Sequence, residues 1–325
     1  MKNEIYKYKE DVEWSIPVLF DQEFVWTTIY NELININIRP PKVNVYGCPA
    51  CLWTGGRIPL IQNVELRVLD RIFDYLESCN ATPTFNFTYT RIEKDDLNDL
   101  YSNELLSFAI EHNSKFIVSS DLLRDYIKEK APDAIVISSV IKAVKRFQTA
   151  DKIVNSSPEE ETNFYNKMLK KYDVVVVRPE YSRDVLVEHP EYIDDISRIE
   201  VLINQTCMPN CPHAIQHNER NEEHREGFNP SIPPFRCIKA STMNSVQAYK
   251  NNLIHTQKQI SKLINNGVRH LKIQNRGALK TEPHQKLYLI YTQMFNTDGN
   301  PYMMLYNLDL RLPMEMQYFM TFAQR

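Results

Sequence analysis

The sequence has little glycine and no long apolar run. Seven glycines among 325 residues argue against a glycine-rich sandwich or a repeat protein. No stretch approaches the roughly 18 consecutive apolar residues that would indicate a membrane span, so no membrane partner is expected. The first residues, MKNEIYKYKEDVEW, are charged and lack the apolar segment of a signal peptide. We therefore expect a soluble, cytoplasmic protein.

The common catalytic motifs are also missing. The sequence contains no GxGxxG, no Walker phosphate loop, no HExxH and no GxSxG, which leaves the usual nucleotide-binding, zinc-protease and hydrolase interpretations without support. The radical-enzyme signature C-x₃-C-x₂-C is absent because Pro212 and His213 follow Cys211. The net charge of −3 gives no overall reason to expect nucleic acid, although a local basic patch remains open.

Short β-branched runs alternate with amphipathic segments along most of the chain. The predicted strands are 42–47, 82–88, 115–120, 133–140, 173–179, 199–205, 236–241 and 270–276. Their nearly continuous apolar residues are typical of a parallel sheet that is buried on both faces. Helical periodicity is clear in 64–78, 120–130, 245–266 and 283–295. Eight alternations predict an α/β protein with one (β/α)₈ barrel of the TIM type at 42–295, an N-terminal extension at 1–41 and a C-terminal extension at 296–325.

In such a barrel the carboxyl ends of all strands meet at one rim, where active sites are built. Polar residues lie at or just past most of the predicted strand ends. They are Cys48, Cys51, Asn86, Ser119, Ser120, Ser138, Ser139, Arg178, Glu180, Asn204, Cys207, Cys211, Cys237, Lys272, Gln274, Asn275 and Arg276. Five of the six cysteines therefore map to the rim, whereas Cys79 ends a helix and is expected to be structural.

The cysteines are expected to be reduced thiols or metal ligands because no export signal is present. The CPAC stretch at 48–51 has the C-x-x-C spacing of both metal knuckles and redox pairs, but no helix begins within it as in thioredoxin. A proline-punctuated loop carries Cys207 and Cys211, and this setting favours a ligand role over plain core burial. For Cys237, within a strand-like segment, a buried structural thiol is the common alternative.

The histidines give a weaker signal. A helix beginning at Pro212 would place His213 and His217 on one face, where they would either bind zinc or form a solvated pair. We expect His224 and His255 to lie on the surface.

Three segments resemble a known family. They are VVVRPEYSRD (175–184), RIEVLINQTCMPNCP (198–212) and NGVRHLKIQNRG (266–277). They are similar to segments of the collagenase-like peptidase family, which includes oxygen-independent ubiquinone-pathway hydroxylases and RNA hydroxylases. The resemblance covers about residues 170–280.

The resemblance implies a TIM-type barrel and, in the hydroxylase branch, a [4Fe–4S] cluster held by four cysteines. By position, Cys207, Cys211 and Cys237 would be ligands, and Cys51 or Cys48 would be the fourth. Here C-x₃-CPH replaces the longer cysteine spacing of the family. Zinc is therefore the alternative metal, since thiolates suit both.

On this resemblance we expect an iron–sulfur enzyme that carries out an oxygen-independent hydroxylation, or a related modification, of a small anionic molecule or RNA. Proton transfer would fall to Glu180 and His213. The substrate-binding candidates are Arg57, Asn86, Arg178, Asn204, Lys272 and Arg276, since arginine suits carboxylate and phosphate. The alternatives are a peptidase and a non-catalytic zinc- or cluster-binding subunit. A protein partner is conceivable because hydroxylases of the family can work as heterodimers.

Overall fold

The computed structural model describes residues 11–17, 24–35, 40–55, 64–149, 156–205, 209–223, 253–255 and 257–273. Eight parallel strands close into a barrel with the order β1-β10-β7-β6-β5-β4-β3-β2. These strands are β1 (Glu13–Pro17), β2 (Lys42–Gly47), β3 (Ala81–Phe87), β4 (Lys115–Val118), β5 (Val136–Ser138), β6 (Val174–Val177), β7 (Ile199–Leu202) and β10 (His270–Lys272). The short β8 (Asn204–Gln205) and β9 (Leu253–Ile254) form a separate antiparallel ribbon.

Helices follow most barrel strands, which is the alternation that the sequence predicts. They are α1 (Phe24–Asn35), α2 (Leu66–Ser78), α3 (Leu100–Glu111), α4 (Asp121–Lys130), α5 (Val140–Phe147), α6 (Pro158–Leu169), α7 (Pro179–Tyr181), α8 (Ala214–Glu223) and α9 (Gln257–Asn265). Side-chain oxygens of Asp99, Ser120, Ser139 and Ser157 accept backbone N–H groups at four helix starts. Such caps satisfy donors that the first helical turn leaves unpaired.

The predicted (β/α)₈ barrel is confirmed, but its first strand lies in the segment 1–41 that was expected to be an extension. Strand β1 pairs with β2 on one side and β10 on the other, with Trp14 opposite both Val43 and Leu271. The stretch EWSIP is five residues long and has a polar Ser15 at its centre. It therefore lacks the continuous apolar run that marks the other strands, which is why the boundary at residue 42 was misplaced.

Between β7 and β10 the sequence predicts a further strand at 236–241. In the structure, strand β10 pairs directly with β7, with His270 opposite Glu200, and the eight described strands close the barrel. Residues 236–241, the helical pattern 283–295 and the predicted C-terminal extension 296–325 lie outside the described residues.

The period of two along each strand separates two apolar clusters. One lies between the strands and the helices and includes fully buried Phe85 and Phe116. The other is formed by Tyr46, Ile117, Ile137, Val174, Val176 and Leu202. Burial of a Phe side chain contributes about 1.5–3 kcal/mol to the free energy of unfolding. The first cluster, between the strands and the helices, therefore holds the helices against the barrel. None of the helices within the described ranges has the length and apolar character needed to cross a membrane.

Candidate functional site at the barrel mouth

The CPAC motif lies immediately after β2, at the carboxyl rim of the barrel. Cys48 and Cys51 are only 3% and 2% exposed, and neither is in a disulfide. The Thr54 hydroxyl connects them, with its Oγ1 3.2 Å from Cys51 Sγ and 3.5 Å from Cys48 Sγ. The same Oγ1 lies 3.0 Å from the carbonyl oxygen of Pro49. The two thiols therefore share one hydroxyl group in a closed environment.

The loop that carries this motif is fastened to the rim of β3. The Tyr89 N–H donates to the Trp53 carbonyl at 3.0 Å, and Thr88 Oγ1 donates to the Gly55 carbonyl at 3.2 Å. A Cβ on Gly55 would lie 2.5 Å from the backbone of Thr88 and Tyr89. Only glycine permits this close approach of two backbones.

The environment makes Cys51 unusually acidic for a buried thiol. Burial raises its pKa, but side-chain hydrogen bonds with Cys48 and Thr54 lower it to about 7. The lowering comes from these contacts and not from a helix, because α2 begins at Leu66. These hydrogen bonds favour the thiolate over the thiol, and the thiolate is both the reactive and the metal-binding form of cysteine.

A second polar group lies at the end of β6, built around Arg178. Its guanidinium forms two bonds to Glu161 on α6, Nη2–Oε1 at 2.6 Å and Nε–Oε2 at 3.2 Å. The third contact joins Nη1 to Asn210 Oδ1 at 3.4 Å. Arg178 is buried, and burial raises the pKa of Glu161 although Arg178 opposes the shift. The charge of Arg178 is therefore largely compensated by Glu161.

Glu180 is the other carboxylate of this group. Its Oε1 accepts the Asn210 N–H at 2.7 Å and Gln148 Nε2 at 3.3 Å. Its Oε2 is buried and has no hydrogen-bond partner within the described ranges. An unsatisfied buried carboxylate oxygen is costly, so such atoms point to a ligand, a water or a proton. Of the two carboxylate oxygens of Glu180, Oε1 is therefore held by hydrogen bonds, and Oε2 has no hydrogen-bond partner among the described residues.

Cys211 follows Asn210 and lies on the same side of the mouth as Glu180. The strands β2 and β6 are four positions apart in the closed order of eight, so CPAC and Glu180 follow strands on opposite sides of the barrel. Within the part of the chain that the structure describes, no three or more His, Cys, Asp or Glu side chains form a group that could hold a metal. Cys207 and Cys237 lie outside the described residues.

Lys272 is directed into the barrel and its charge is already paired. Its Nζ lies 3.0 Å from Glu200 Oε2 and 4.3 Å from the centre of the Tyr46 ring. Ser15 Oγ donates to the other oxygen of Glu200 at 2.5 Å. Glu200 and Lys272 are both buried. Glu200 therefore compensates the positive charge of Lys272, and that charge is the one with which Lys272 is expected to bind an anion.

The remaining predicted residues are Asn86, Asn204, His213, Arg57 and Arg276. Asn86 lies in β3, where its Oδ1 is buried with no partner among the residues described. Only the backbone of Asn204 is described, and it pairs with Ile254 in the β8–β9 ribbon. His213 precedes α8 and contacts Gln216 at 2.8 Å through Nδ1. Arg57 and Arg276 lie outside the described residues.

His255 was expected at the surface, and this prediction is wrong. The side chain is 1% exposed, and its Nε2 lies 3.0 Å from Ser182 Oγ. The His255 N–H donates to the Ile203 carbonyl, so the β8–β9 ribbon carries this residue inward. Burial lowers the pKa of His255 to about 4. No local pattern indicates this contact, because the two partners are 73 positions apart in the chain.

The Ser182–His255 pair is arranged as a structural contact. Ser182 Oγ donates to the Pro179 carbonyl at 2.9 Å. The same Oγ lies 3.0 Å from His255 Nε2, and the imidazole tautomer decides which atom donates in that contact. Ser182 is also fully buried, unlike a serine nucleophile, which must reach its substrate.

Helix α8 crosses part of the mouth, and it begins two residues after Pro212, the helix start considered from the sequence. It begins beside Cys211 and ends at Glu223. The buried carboxylate of Glu222 accepts the N–H and the hydroxyl of Thr90 at 3.2 and 2.9 Å, and Arg91 Nε lies 3.5 Å away. The helix thus reaches from the end of β6 to the loop after β3.

Comparisons with known proteins add little to this geometry. No family model matches the sequence, and no curated protein matches it. Among solved structures, the U32 peptidase Mk0906 is similar with a TM-score of 0.49 and 12% sequence identity. The match covers 82% of this chain and 93% of that one. U32 is the collagenase-like peptidase family, and a likeness at this identity concerns the fold alone.

Proposed function

We propose that this chain is a divergent member of the collagenase-like peptidase family and an enzyme that acts at the β6–β7 side of the barrel mouth. The observation that carries the proposal is Glu180, whose Oε1 is held while Oε2 is buried with no partner in the described ranges. Its place just past a strand end is where (β/α)₈ enzymes carry their catalytic groups.

The arrangement suits Glu180 to proton transfer. Asn210 and Gln148 fix one oxygen, which orients the other toward a donor group on a bound molecule. A positioned carboxylate of this kind accepts or returns a proton in general acid–base catalysis. Arg178 neighbours Glu180 but is bound to Glu161, so we assign it to positioning rather than to the substrate binding that the sequence predicts.

The reaction class follows from the sequence resemblance. We propose an oxygen-independent hydroxylation, or a related modification, of an anionic organic molecule or RNA, with Arg57 and Arg276 as anion-binding candidates. An iron–sulfur cluster would supply electron transfer when bound. Its proposed ligands are Cys207, Cys211 and Cys237, with Cys51 or Cys48 as the fourth. The placement of Cys211 on the Glu180 side of the mouth supports this set.

Metal analysis of protein prepared without oxygen tests the cluster. Iron, acid-labile sulfide and zinc are measured in the full chain, in Cys211→Ser and in Cys79→Ser as the matched control. We expect iron and sulfide in the full chain, their loss in Cys211→Ser and their retention in Cys79→Ser. Zinc in a closed protein shell would instead favour the non-catalytic subunit, and a metal-free protein with no visible absorbance would overturn the cluster.

The peptidase alternative is less well supported by the described residues. The serine beside a histidine in the described mouth, Ser182, is fully buried and donates its proton to a carbonyl. Metal-free cleavage of a peptide library that Ser182→Ala abolishes would reverse this order of preference.

A further inference from the structure

We infer that the outer side of helix α2 is the interface of a homodimer, in which the α2 helices of two copies pack antiparallel across a twofold axis. The inference does not rest on the proposed function, because α2 belongs to the layer of helices outside the barrel and not to the mouth.

The first observation is a concentration of exposed apolar side chains on three consecutive helices. Four of the six large apolar side chains that are exposed in the described ranges lie on α1, α2 and α3. They are Ile34, Val68, Tyr75 and Leu100, and Leu100 is 81% exposed. Single exposed apolar residues are normal on a soluble protein, but a contiguous group of them marks an interaction surface.

The three helices lie side by side and so join these side chains into one surface. Helices α1 and α2 pack together and run in roughly the same direction, because they follow the neighbouring parallel strands β1 and β2. Ile34 and Tyr75 each lie in the last turn of their helix. At the other end of α2, the Tyr101 hydroxyl donates to the Val64 carbonyl at 3.4 Å, which brings the start of α3 beside the start of α2.

The outer side of α2 carries opposite charges between its apolar residues. Spacings of three and four residues place Val68, Arg71, Asp74 and Tyr75 together, opposite the side of the helix that is buried in the core. All four residues are exposed, and we call them the α2 face. The α2 face therefore offers an apolar residue at each end and one charge of each sign between them.

The two charges of the α2 face are available to a partner. Neither Arg71 nor Asp74 is in an ion pair within the described ranges. The charged residues one turn earlier differ in this respect, since Arg67 pairs with Glu65 and Asp70 pairs with His112.

The α2 face is complementary to itself. In an antiparallel pair of identical helices, Val68 of each copy lies opposite Tyr75 of the other, and Arg71 lies opposite Asp74. The midpoints of these two pairs differ by one residue, about 1.5 Å along the helix axis, so one twofold axis serves both. A parallel pair would instead place Arg71 against Arg71. Contacts in which one surface binds its own copy are the commonest in soluble oligomers.

The size of the surface sets the expected affinity. Helix α2 is about 20 Å long and three helices side by side are about 30 Å wide, so each copy would bury about 600 Å². The total of about 1,200 Å² is at the lower end for a specific interface. We therefore expect a dimer that forms at micromolar concentrations. Tyr75 and its apolar neighbours would supply the affinity, and the charge pairs would fix the orientation.

Sedimentation velocity of the full-length protein tests the inference. The mass is measured at about 1–100 µM for the unaltered chain, for Tyr75→Ala and for Tyr192→Ala, a similarly exposed tyrosine outside this surface. We expect a monomer–dimer equilibrium that Tyr75→Ala weakens about 30-fold and Tyr192→Ala leaves unchanged. Urea unfolding of each variant separates loss of the dimer from loss of the fold. A monomer at every concentration, or a dimer that Tyr75→Ala does not weaken, would overturn the inference.

Exchange of the two charges tests the antiparallel arrangement. Arg71→Glu sets a second carboxylate against Asp74 twice in each dimer, and Asp74→Arg sets two guanidinium groups together in the same way. Each variant alone should dimerise about tenfold more weakly. An equimolar mixture of the two should form heterodimers with nearly the affinity of the unaltered protein, because both pairs are then of opposite charge. A mixture that associates no better than either variant alone contradicts the antiparallel dimer.

Discussion

The Asn210 N–H donates to Glu180 Oε1 at 2.7 Å, and this bond fastens the loop before Cys211 to the end of β6. Asn210 adopts a left-handed backbone with φ of 48°, a conformation that asparagine tolerates better than most residues. The turn aims its N–H at the carboxylate while its side chain reaches Arg178. One residue therefore joins the cysteine loop to both charged groups of the candidate site.

Replacing Glu180 with glutamine should abolish proton transfer without disturbing the loop. The amide oxygen can still accept the Asn210 N–H, but the group no longer takes up a proton. Loss of a general acid or base lowers turnover by about 10²–10⁴-fold. Mass spectrometry of carboxylate and RNA substrates incubated with the protein would measure this loss, with Glu223→Gln, at the far end of α8, as the control. Unchanged turnover in Glu180→Gln would exclude this residue as the proton-transfer group.

Removing Glu161 should destabilise the fold strongly. Glu161→Ala leaves the buried guanidinium of Arg178 without its main partner, and breaking a buried pair in this way costs about 3–5 kcal/mol of unfolding free energy. Urea unfolding measures the difference. The exposed pair of Arg220 and Glu223 is the comparison, and Arg220→Ala should change stability by less than about 1 kcal/mol. Equal effects of the two substitutions would contradict the importance of the buried pair.

His255 should make stability depend on pH in the mildly acidic range. Its pKa falls from 6.5 to about 4 on folding, so the unfolded state binds the proton first and folding loses stability as pH drops from about 6.5 toward 4. Between pH 7 and pH 5 this amounts to about 2 kcal/mol. Comparison of His255→Gln with the exposed His189→Gln isolates the contribution. If both variants keep the full pH dependence, His255 is not its source.

Gly55→Ala should distort the loop that carries CPAC. The added methyl would lie 2.5 Å from the Thr88 backbone, and overpacking of this kind costs about 1–3 kcal/mol. Because the shift moves Thr54 away from its position, Cys51 should also react more slowly with a small alkylating agent at pH 7. Lys94→Ala, an exposed change near the same rim, should leave stability and reactivity unaltered. A stable Gly55→Ala protein with normal thiol reactivity would show that the backbones can separate at little cost.

The local sequence predicted the architecture because buried parallel strands need continuous apolar runs. Segments such as the four valines of β6 are recognisable as strands from their composition alone. Their alternation with amphipathic helices predicts a barrel. Strand β1 was not predicted because its central residue, Ser15, is polar. Ser15 faces Glu200 inside the barrel, and this partner lies 185 positions away in the sequence.

For the candidate site, the sequence by itself determined which residues reach the rim. Cys48, Cys51, Arg178 and Glu180 follow strand ends, and strand ends of a parallel barrel share one face. Only the tertiary structure decided how these residues group. Closure of the barrel places β2 opposite β6, so CPAC and Glu180 follow strands on opposite sides of the barrel. Packing from distant segments pairs Arg178 with Glu161 and brings His255 to Ser182. Side-chain pairing and burial depend on contacts between remote parts of the chain, and these contacts cannot be predicted from the local sequence.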